Sequence, residues 1–389
     1  MQRNNLSEGV LSMDSSSDSI QHLVAQILSK EGKKAFYTFA NADGKQWIMP
    51  KRNMRTAMNL YQPSGIKGKA MKLLFPYLHQ VNRVKAKLGV TSSEYQLKKE
   101  LNSLLSHLFS RKDIEFALFC GTPSAHQKIT IQISAGTTIL GYCKVTDKED
   151  IKELFCREQQ LLDTLRSKGV KQIPRCLFCG NLTNESALFV QSTVKSNRSV
   201  VKHYWSKEHW AFLTHLHNQT KQTLSFGRTD FARSLASLTG QLMYLSLAET
   251  PIISAAIQKV QEYYGNKPVE FSAYHADFTP WNMFFEQGEL FVFDFEYAKM
   301  TYPPFLDRFH YFTQCGIFEK GWKEDQLFDV YQSQKKEMEP YITNPDMGYL
   351  CYLLEIVNLY LSRDNGTYTN DANSNFNKWM SLIDKLTKT

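Results

Sequence analysis

Four polar side chains that could serve one reaction lie close together in the sequence. The stretch HADFTPWN contains His275, Asp277 and Asn282, and Asp294 ends the apolar run ELFVFD. Pro280 turns the chain, so that Asp277 and Asn282 can face a common centre. Mg²⁺ prefers oxygen ligands of this kind, and a carboxylate beside an attacking hydroxyl can receive its proton. These residues therefore suit phosphoryl transfer, although acidic and amide residues near proline also form ordinary turns.

The order of these motifs resembles the aminoglycoside phosphotransferase and choline kinase superfamily, the small-molecule branch of the protein-kinase-like fold. HADFTPWN, FVFDFEYA and LDRFHYF follow one another as in that family. The resemblance covers residues 113–315. It implies ATP and Mg²⁺ as cofactors, Asp277 as the catalytic base, Asn282 and Asp294 as metal ligands, and His275 as the residue that orients the loop. The motifs of ordinary protein kinases, His-Arg-Asp and Asp-Phe-Gly, are absent, which disfavours that class.

A lysine and a glutamate upstream fit the same resemblance. Lys144 stands in the strand-like run GYCKV, where kinase-like folds keep the lysine that contacts the nucleotide phosphates. Glu158, in FCREQQLL, is its expected partner on the next helix, and Glu153 is the weaker candidate. The alternative is that these charges are merely solvated at the surface.

Two further segments are expected to contact the nucleotide. Backbone amides in CGTPSAHQK, at Gly121 and Thr122, could cover the phosphates, although an ordinary hairpin turn would have the same sequence. The resemblance alone places the adenine-binding hinge in FVQST, around Val190 and Ser192.

The acceptor side of the site is less defined. Glu296 and Tyr297, with aromatic residues downstream, could hold a cationic substrate by charge and cation–π attraction, or the rings could simply fill the core. Asp307 either braces the catalytic loop or contacts the substrate. Sugar-like hydroxyls, choline or ethanolamine, and a glycan unit are all open as acceptors. The downstream aromatic residues are Tyr302, Tyr311 and Phe312.

The surrounding patterns predict an α+β, two-lobed protein-kinase-like fold after a small basic N-terminal module. Residues 1–110 form the module, with a mobile tail over residues 1–19, a helix over 20–30, a hairpin around residues 41–44 and a helix over 92–109. Residues 111–195 have strand, strand, strand, helix, strand, strand order and form a small antiparallel N-lobe. Residues 196–389 are mainly helical and form the C-lobe.

Composition limits the class of protein. The chain has 389 residues, of which 42% are hydrophobic, so it is globular. The seven cysteines are scattered and odd in number, which favours reduced thiols in the cytoplasm. No run approaches the roughly 20 apolar residues of a membrane helix, and the N-terminus lacks the apolar core of a signal peptide.

The net charge of +8 is concentrated in one segment. Residues 45–87 contain ten Lys or Arg and no Asp or Glu. This segment is a solvated surface, a platform for an acidic substrate, or a peripheral contact with an anionic membrane, and nucleic acid is the less favoured partner. Interleaved Trp47, Met49, Tyr61 and Phe75 favour an interaction surface.

Two functions follow from these observations. The first is an ATP- and Mg²⁺-dependent phosphotransferase that acts on a hydroxyl of a small molecule or glycan. The alternative is a non-catalytic nucleotide-binding regulatory module, recruited to membrane or nucleic acid by its basic face. The alternative is disfavoured because a binding module does not need a base. The chain nevertheless contains the whole set that a kinase requires: Lys144, Asp277, Asn282 and Asp294. The oligomeric state does not follow from the sequence.

Overall fold

The computed structural model describes residues 20–41, 43–63, 65–121, 127–182, 186–364 and 375–389. The predicted tail over residues 1–19, Thr122 and one residue of the predicted hairpin turn, Ala42, lie outside the described residues. The chain divides into two compact units. The sheet unit consists of the described parts of Met1–Asp163, Pro174–Val200 and Glu286–Gly288. The helical unit consists of Thr164–Ile173, Val201–Phe285 and the described parts of Glu289–Thr389.

The sheet unit is built on one antiparallel sheet of eight strands, in the order β3-β1-β2-β4-β5-β6-β8-β7. The last five strands and α6 confirm the strand and helix order expected for an N-lobe. The strands are β1 (Leu28–Ala40), β2 (Gln46–Pro50), β3 (Thr91–Leu97), β4 (Glu115–Phe119), β5 (Ile129–Ala135), β6 (Thr138–Thr146), β7 (Cys176–Asn181) and β8 (Ala187–Ser192).

The sheet continues across residue 110, where the sequence predicts a domain boundary. Strand β2 pairs with β4, with Trp47 opposite Phe119 and Ile48 opposite Leu118. Residues 1–110 therefore supply three strands to the sheet of the predicted N-lobe. Their pairing covers the edge of β4 that would otherwise expose unpaired backbone groups.

Helices cover both faces of this sheet. Because successive strand residues point to opposite faces, Phe36 and Ile48 pack on one face under Leu101 of α5, whereas Tyr37 and Trp47 pack on the other face under Phe75 of α3. The helices of the unit are α1 (residues 20–27), α2 (Met54–Ala57), α3 (Ile66–Leu78), α4 (Asn82–Lys87), α5 (Lys99–Leu108) and α6 (Glu149–Ser167).

The predicted helix over residues 92–109 is wrong in its first half. Thr91–Leu97 forms β3, which pairs with β1, with Ser93 opposite Phe36. The register places Tyr95 against the ring of Phe36 at a centroid distance of 5.8 Å. Pairing with a strand distant in sequence therefore outweighs the local helical spacing.

The helical unit packs around α12, which is buried along most of its length. A helix that is apolar on all sides belongs in a core. Its helices are α7 (Lys207–Thr220), α8 (Asp230–Gly240), α9 (Glu249–Tyr264), α10 (Leu306–Phe318), α11 (Glu324–Met338), α12 (Pro345–Asp364) and α13 (Asn375–Lys388). None of the helices in the described part of the chain is long and apolar enough to cross a membrane.

Short strands between these helices position the motif residues. A three-stranded sheet has the order β13-β10-β9, and β11 pairs with β12. The strands are β9 (Gln222–Leu224), β10 (Val269–Tyr274), β11 (Met283–Glu286), β12 (Glu289–Val292) and β13 (Lys299–Tyr302).

Candidate active site

The loop after β10 is held by a carboxylate from the first turn of α10. Asp307 Oδ2 accepts a hydrogen bond from the backbone N–H of His275 at 2.9 Å, and its Oδ1 accepts one from Ala276 N–H at 3.2 Å. Ala276 has a φ of 68°, in the left-handed region that non-glycine residues seldom adopt. Asp307 therefore fixes a strained turn immediately before Asp277.

His275 ties this loop to the segment that carries Asp294. Its Nδ1 accepts a hydrogen bond from Asp277 N–H at 3.1 Å, so the ring proton lies on Nε2, which donates to the carbonyl of Phe293 at 3.0 Å. Burial lowers the pKa of His275 to about 4. The ring is therefore neutral at pH 7, and its contacts are those of an orienting residue.

The carboxylate of Asp277 has two hydrogen-bond donors. Asn282 Nδ2 donates to Oδ2 at 2.7 Å and to the backbone carbonyl of Asp277 at 3.0 Å. His310 Nε2 lies 3.2 Å from Oδ1. The side chain remains one-third exposed, at 33%. Asp277 is thus oriented from both sides and still accessible.

His310 is a site residue that the sequence analysis did not identify. It stands three residues after Asp307 on α10, and residues at this spacing share one face of a helix. Asp307 and His310 therefore hold the backbone and the side chain of the same loop. The three-residue spacing of Asp307 and His310 within LDRFHYF was the available signal. It indicates a site residue only once α10 is known to pack against the loop.

Asp294 lies two residues after β12, and the residue before it is hydrogen-bonded to Asn282. Phe293 N–H donates to the carbonyl of Asn282 at 3.0 Å, and Asp294 itself has a φ of 69°. Both contacts of this end of the Asn282 side chain are with hydrogen-bond acceptors, so the atom there is the amide nitrogen, Nδ2. The amide oxygen, Oδ1, is then the atom that could bind a cation. The carboxylate and amide oxygens of this segment are the hard ligands that Mg²⁺ takes, so its donor chemistry fits that ion.

The residues considered for the acceptor fall into different environments. Glu296 and Tyr297 are half-buried, and Tyr297 Oη accepts a hydrogen bond from Arg363 at 3.0 Å. Tyr302 and Phe312 are buried in the core of the helical unit. Asp307 is buried, and desolvation raises its pKa to about 7 against the effect of its two N–H donors. Its contacts are those of a brace for the loop.

In the sheet unit, Lys144 and Glu158 form a buried ion pair. Lys144 is on β6 and Glu158 is on α6, and their Nζ and Oε2 atoms are 2.7 Å apart. Glu153 instead pairs with Arg157 on the exposed side of α6. A buried charge needs a partner of opposite sign, whereas the exposed pair is largely solvated.

The remaining predicted nucleotide contacts lie after β4 and on β8 in the sheet unit. Gly121 follows β4 with a φ of 77°, and a Cβ there would lie 2.4 Å from the carbonyl of Lys128, so only glycine fits this turn. On β8, Val190 pairs with Cys143. Ser192 N–H already donates to the carbonyl of Arg175 at 2.9 Å, so this amide is occupied.

Comparisons with known proteins identify the fold. No protein-family model matches the chain, and no curated protein matches it significantly. Among solved structures, a thermostable variant of aminoglycoside phosphotransferase APH(4)-Ia in complex with AMP-PNP and hygromycin B has a TM-score of 0.50 at 12% identity. The match covers 75% of this chain and 98% of that chain.

Two other structures match at lower TM-scores. The streptomycin–ATP complex of APH(2″)-IIa has a TM-score of 0.43 at 15% identity and covers 76% of this chain and 97% of that one. A putative fructosamine-3-kinase from Haemophilus somnus has a TM-score of 0.43 at 14% identity, with 74% and 95% covered.

Identities this low establish the fold alone. The chain has a protein-kinase-like fold similar to that of APH(4)-Ia, as its motifs predict, with a sheet-rich N-terminal unit and a mainly helical C-terminal unit.

Proposed function

We propose that this protein is an ATP- and Mg²⁺-dependent phosphotransferase that moves the γ-phosphoryl group of ATP to a hydroxyl of a small molecule or glycan. The central observation is the environment of Asp277. Its carboxylate is accessible, has donors on both oxygens and stands on a loop braced by Asp307. A binding module gains nothing from a carboxylate aimed in this way, whereas a base needs a fixed direction.

Asp277 would accept the proton of the acceptor hydroxyl late in a loose transition state. The hydrogen bonds from Asn282 and His310 restrict rotation of the carboxylate, so that one oxygen stays directed at the acceptor. Neutral His275 keeps the loop in register with the Asp294 segment without adding a charge beside the base.

Asn282 and Asp294 would hold the metal through oxygen atoms. Bound Mg²⁺ would supply charge neutralisation for the phosphate groups of ATP. Lys144, kept in place by Glu158, would pair the α- and β-phosphates. A lysine with a buried partner has few rotamers to lose when it binds a phosphate, which favours nucleotide binding.

The proposed acceptor is an alcohol group of a small molecule or glycan. A structural neighbour of this chain was solved with hygromycin B, which supports a small-molecule acceptor. Glu296 and Tyr297 would then contribute an acceptor or charge contact. Arg363 orients the Tyr297 hydroxyl.

The experiment is transfer of label from γ-labelled ATP, with Mg²⁺, to separate pools of cytosolic metabolites, cell-surface glycans and lipids. The wild type and Asp277→Asn are compared on each pool. Label that enters one pool only with the wild type supports the proposal and identifies the acceptor class. Mg²⁺-dependent ATP binding without transfer to any pool would favour the non-catalytic nucleotide-binding module.

A further inference from the structure

Helix α3 packs one side on the sheet. Phe75 is buried and lies edge-on to Tyr37 at a ring-centroid distance of 6.1 Å, and Met71 lies beside it. The aromatic residues Trp47 and Tyr61 belong to the same core. This inner face accounts for the stable position of the helix in the sheet unit.

The opposite side of α3 is also apolar, and it is exposed. Ala70, Leu73, Leu74 and Tyr77 follow one another at spacings of three, one and three residues, which places them on one stripe. Leu73 and Tyr77 are each 70% exposed, and Leu74 is 51% exposed. Helices that pack on a core usually present polar residues to the opposite side. The described residues leave this stripe uncovered.

Basic residues flank the apolar stripe. At about 100° per residue, Lys67 and Lys69 fall on opposite sides of it, and both are exposed. After α3, Val81 is also exposed, as are Arg83 and Lys87 of α4. No acidic residue occurs between Lys45 and Lys87. The surface is therefore apolar along its centre and positive along its margins.

We propose that this surface, formed by Ala70, Leu73, Leu74 and Tyr77 with Lys67 and Lys69, docks on the face of an anionic lipid bilayer. Interfacial helices bury an apolar stripe at the level of the headgroups and place lysines beside anionic lipids. Leucine and tyrosine would enter the interface, and the long lysine side chains would reach the headgroups. The docking is peripheral and goes beyond the proposed phosphotransferase activity.

The geometry favours a bilayer over other partners. Leu73 and Tyr77 are each 70% exposed, so they project from the helix and can enter a deformable lipid layer. Nucleic acid would use the positive charges, but it would leave the apolar stripe in water. Lys67 and Lys69 flank the stripe, and residues 45–87 contain no Asp or Glu, which matches an anionic lipid surface and disfavours pairing with a second copy of the same face.

The test measures binding of the full chain to sedimented vesicles of phosphatidylcholine, with and without about one-third phosphatidylglycerol, at low and high salt. One variant, Leu73→Ser with Tyr77→Ser, removes the apolar centre. A second variant, Lys67→Glu with Lys69→Glu, reverses the sign of the charge on both sides of the stripe and leaves the packing of Phe75 unchanged. The control, Met243→Ser with Leu247→Ser, removes two apolar residues elsewhere that are even more exposed than Leu73 and Tyr77.

The wild type and the control are expected to bind the anionic vesicles, with binding that weakens as salt increases. Each variant of the α3 surface is expected to bind at least about tenfold more weakly. No binding of the wild type, equal binding to uncharged vesicles, or unchanged binding by both variants would overturn the proposal. The oligomeric state of the wild type and of Leu73→Ser/Tyr77→Ser is measured in parallel. If the wild type does not bind vesicles and is a dimer, and the variant is a monomer, the stripe is a self-association surface and the proposal is wrong.

Discussion

His310 Nε2 lies 3.2 Å from Oδ1 of Asp277, although the two residues are 33 positions apart in the chain. The contact joins the first two turns of α10 to the loop after β10. Since Asn282 already holds Oδ2, His310 determines how far the carboxylate can rotate. Its other ring nitrogen, Nδ1, is buried and has no hydrogen-bond partner among the described residues.

Replacing His310 with phenylalanine should lower kcat while leaving the KM for ATP nearly unchanged. The substitution keeps a ring of similar size and removes one hydrogen bond to a charged group, which is worth about 1.5–3 kcal/mol, or roughly 10- to 100-fold in rate. Steady-state kinetics measure both constants. His107→Phe, at an exposed position on α5, is the control. A large rise in KM with kcat unchanged would exclude the orienting role.

Asp277→Asn should reduce turnover by roughly 10²- to 10⁴-fold, the usual contribution of a positioned acid or base. Nucleotide affinity should change little, because the side chain faces the acceptor. The new amide also presents an N–H to either Asn282 Nδ2 or His310 Nε2, so one of the two orienting bonds is lost. Label transfer and equilibrium ATP binding check the two effects. Asp325→Asn, at an exposed position on α11, should behave as the wild type, and a fully active Asp277→Asn enzyme would disprove the assignment.

Lys144→Met should weaken ATP binding and destabilise the chain by about 3–5 kcal/mol, because Glu158 would keep a buried charge without its partner. Glu158→Gln should also destabilise the chain, because it leaves the buried Lys144 ammonium without the Glu158 carboxylate. The double variant should lose less unfolding free energy than the sum of the two single variants. Arg157→Met breaks the exposed pair with Glu153 and should cost below about 1 kcal/mol. Urea unfolding and nucleotide titration are the measurements. Unchanged ATP affinity in Lys144→Met would remove Lys144 from the nucleotide site.

The stability of the fold should depend on pH through His275. Its folded-state pKa of about 4 lies below the ordinary value of 6.5, so the unfolded chain binds more protons between these values. Stability is therefore lost as pH falls from 6.5 towards 4, by up to about 3 kcal/mol. Asp307 acts oppositely, since its raised pKa of about 7 makes the fold lose stability as pH rises from 3.8 to 7.

Urea unfolding of the wild type and His275→Asn at several pH values separates the two effects. The variant keeps Asp307, so the difference between the two chains isolates His275. That difference in unfolding free energy should be largest near pH 7 and shrink as pH falls to 4. A difference independent of pH would show that His275 has the same pKa in the folded and unfolded chains, which would contradict its burial as a neutral ring.

Much of the fold follows from short-range sequence patterns. The run of β4, β5, β6, α6, β7 and β8 and the helical second half were predicted, because strand alternation, turn residues and helical spacing are local properties. The meeting of Asp277 and Asn282 was also predicted, and their side chains are hydrogen-bonded; the roles of these residues and of Asp294 stay predictions. Their spacing around a turn and a hairpin limits which side chains can meet.

The contacts between distant residues were not predictable in the same way. His310 joins Asp277 only because α10 packs against the loop after β10. Likewise, β3 is a strand because β1 provides its pairing partner, whereas its own sequence also fits a helix.

For this chain, the sequence by itself determined the motif residues, the order of the elements and the concentration of charge between residues 45 and 87. It did not determine which apolar residues there are exposed. Trp47, Met49, Tyr61 and Phe75, interpreted from sequence as an interaction surface, are buried, and Leu73 and Tyr77 are exposed instead. Helix α3 is apolar on both sides, so its sequence is compatible with burial of either side. Only packing against the sheet decides which side faces solvent, because each apolar side chain is most stable where the tertiary structure removes it from water.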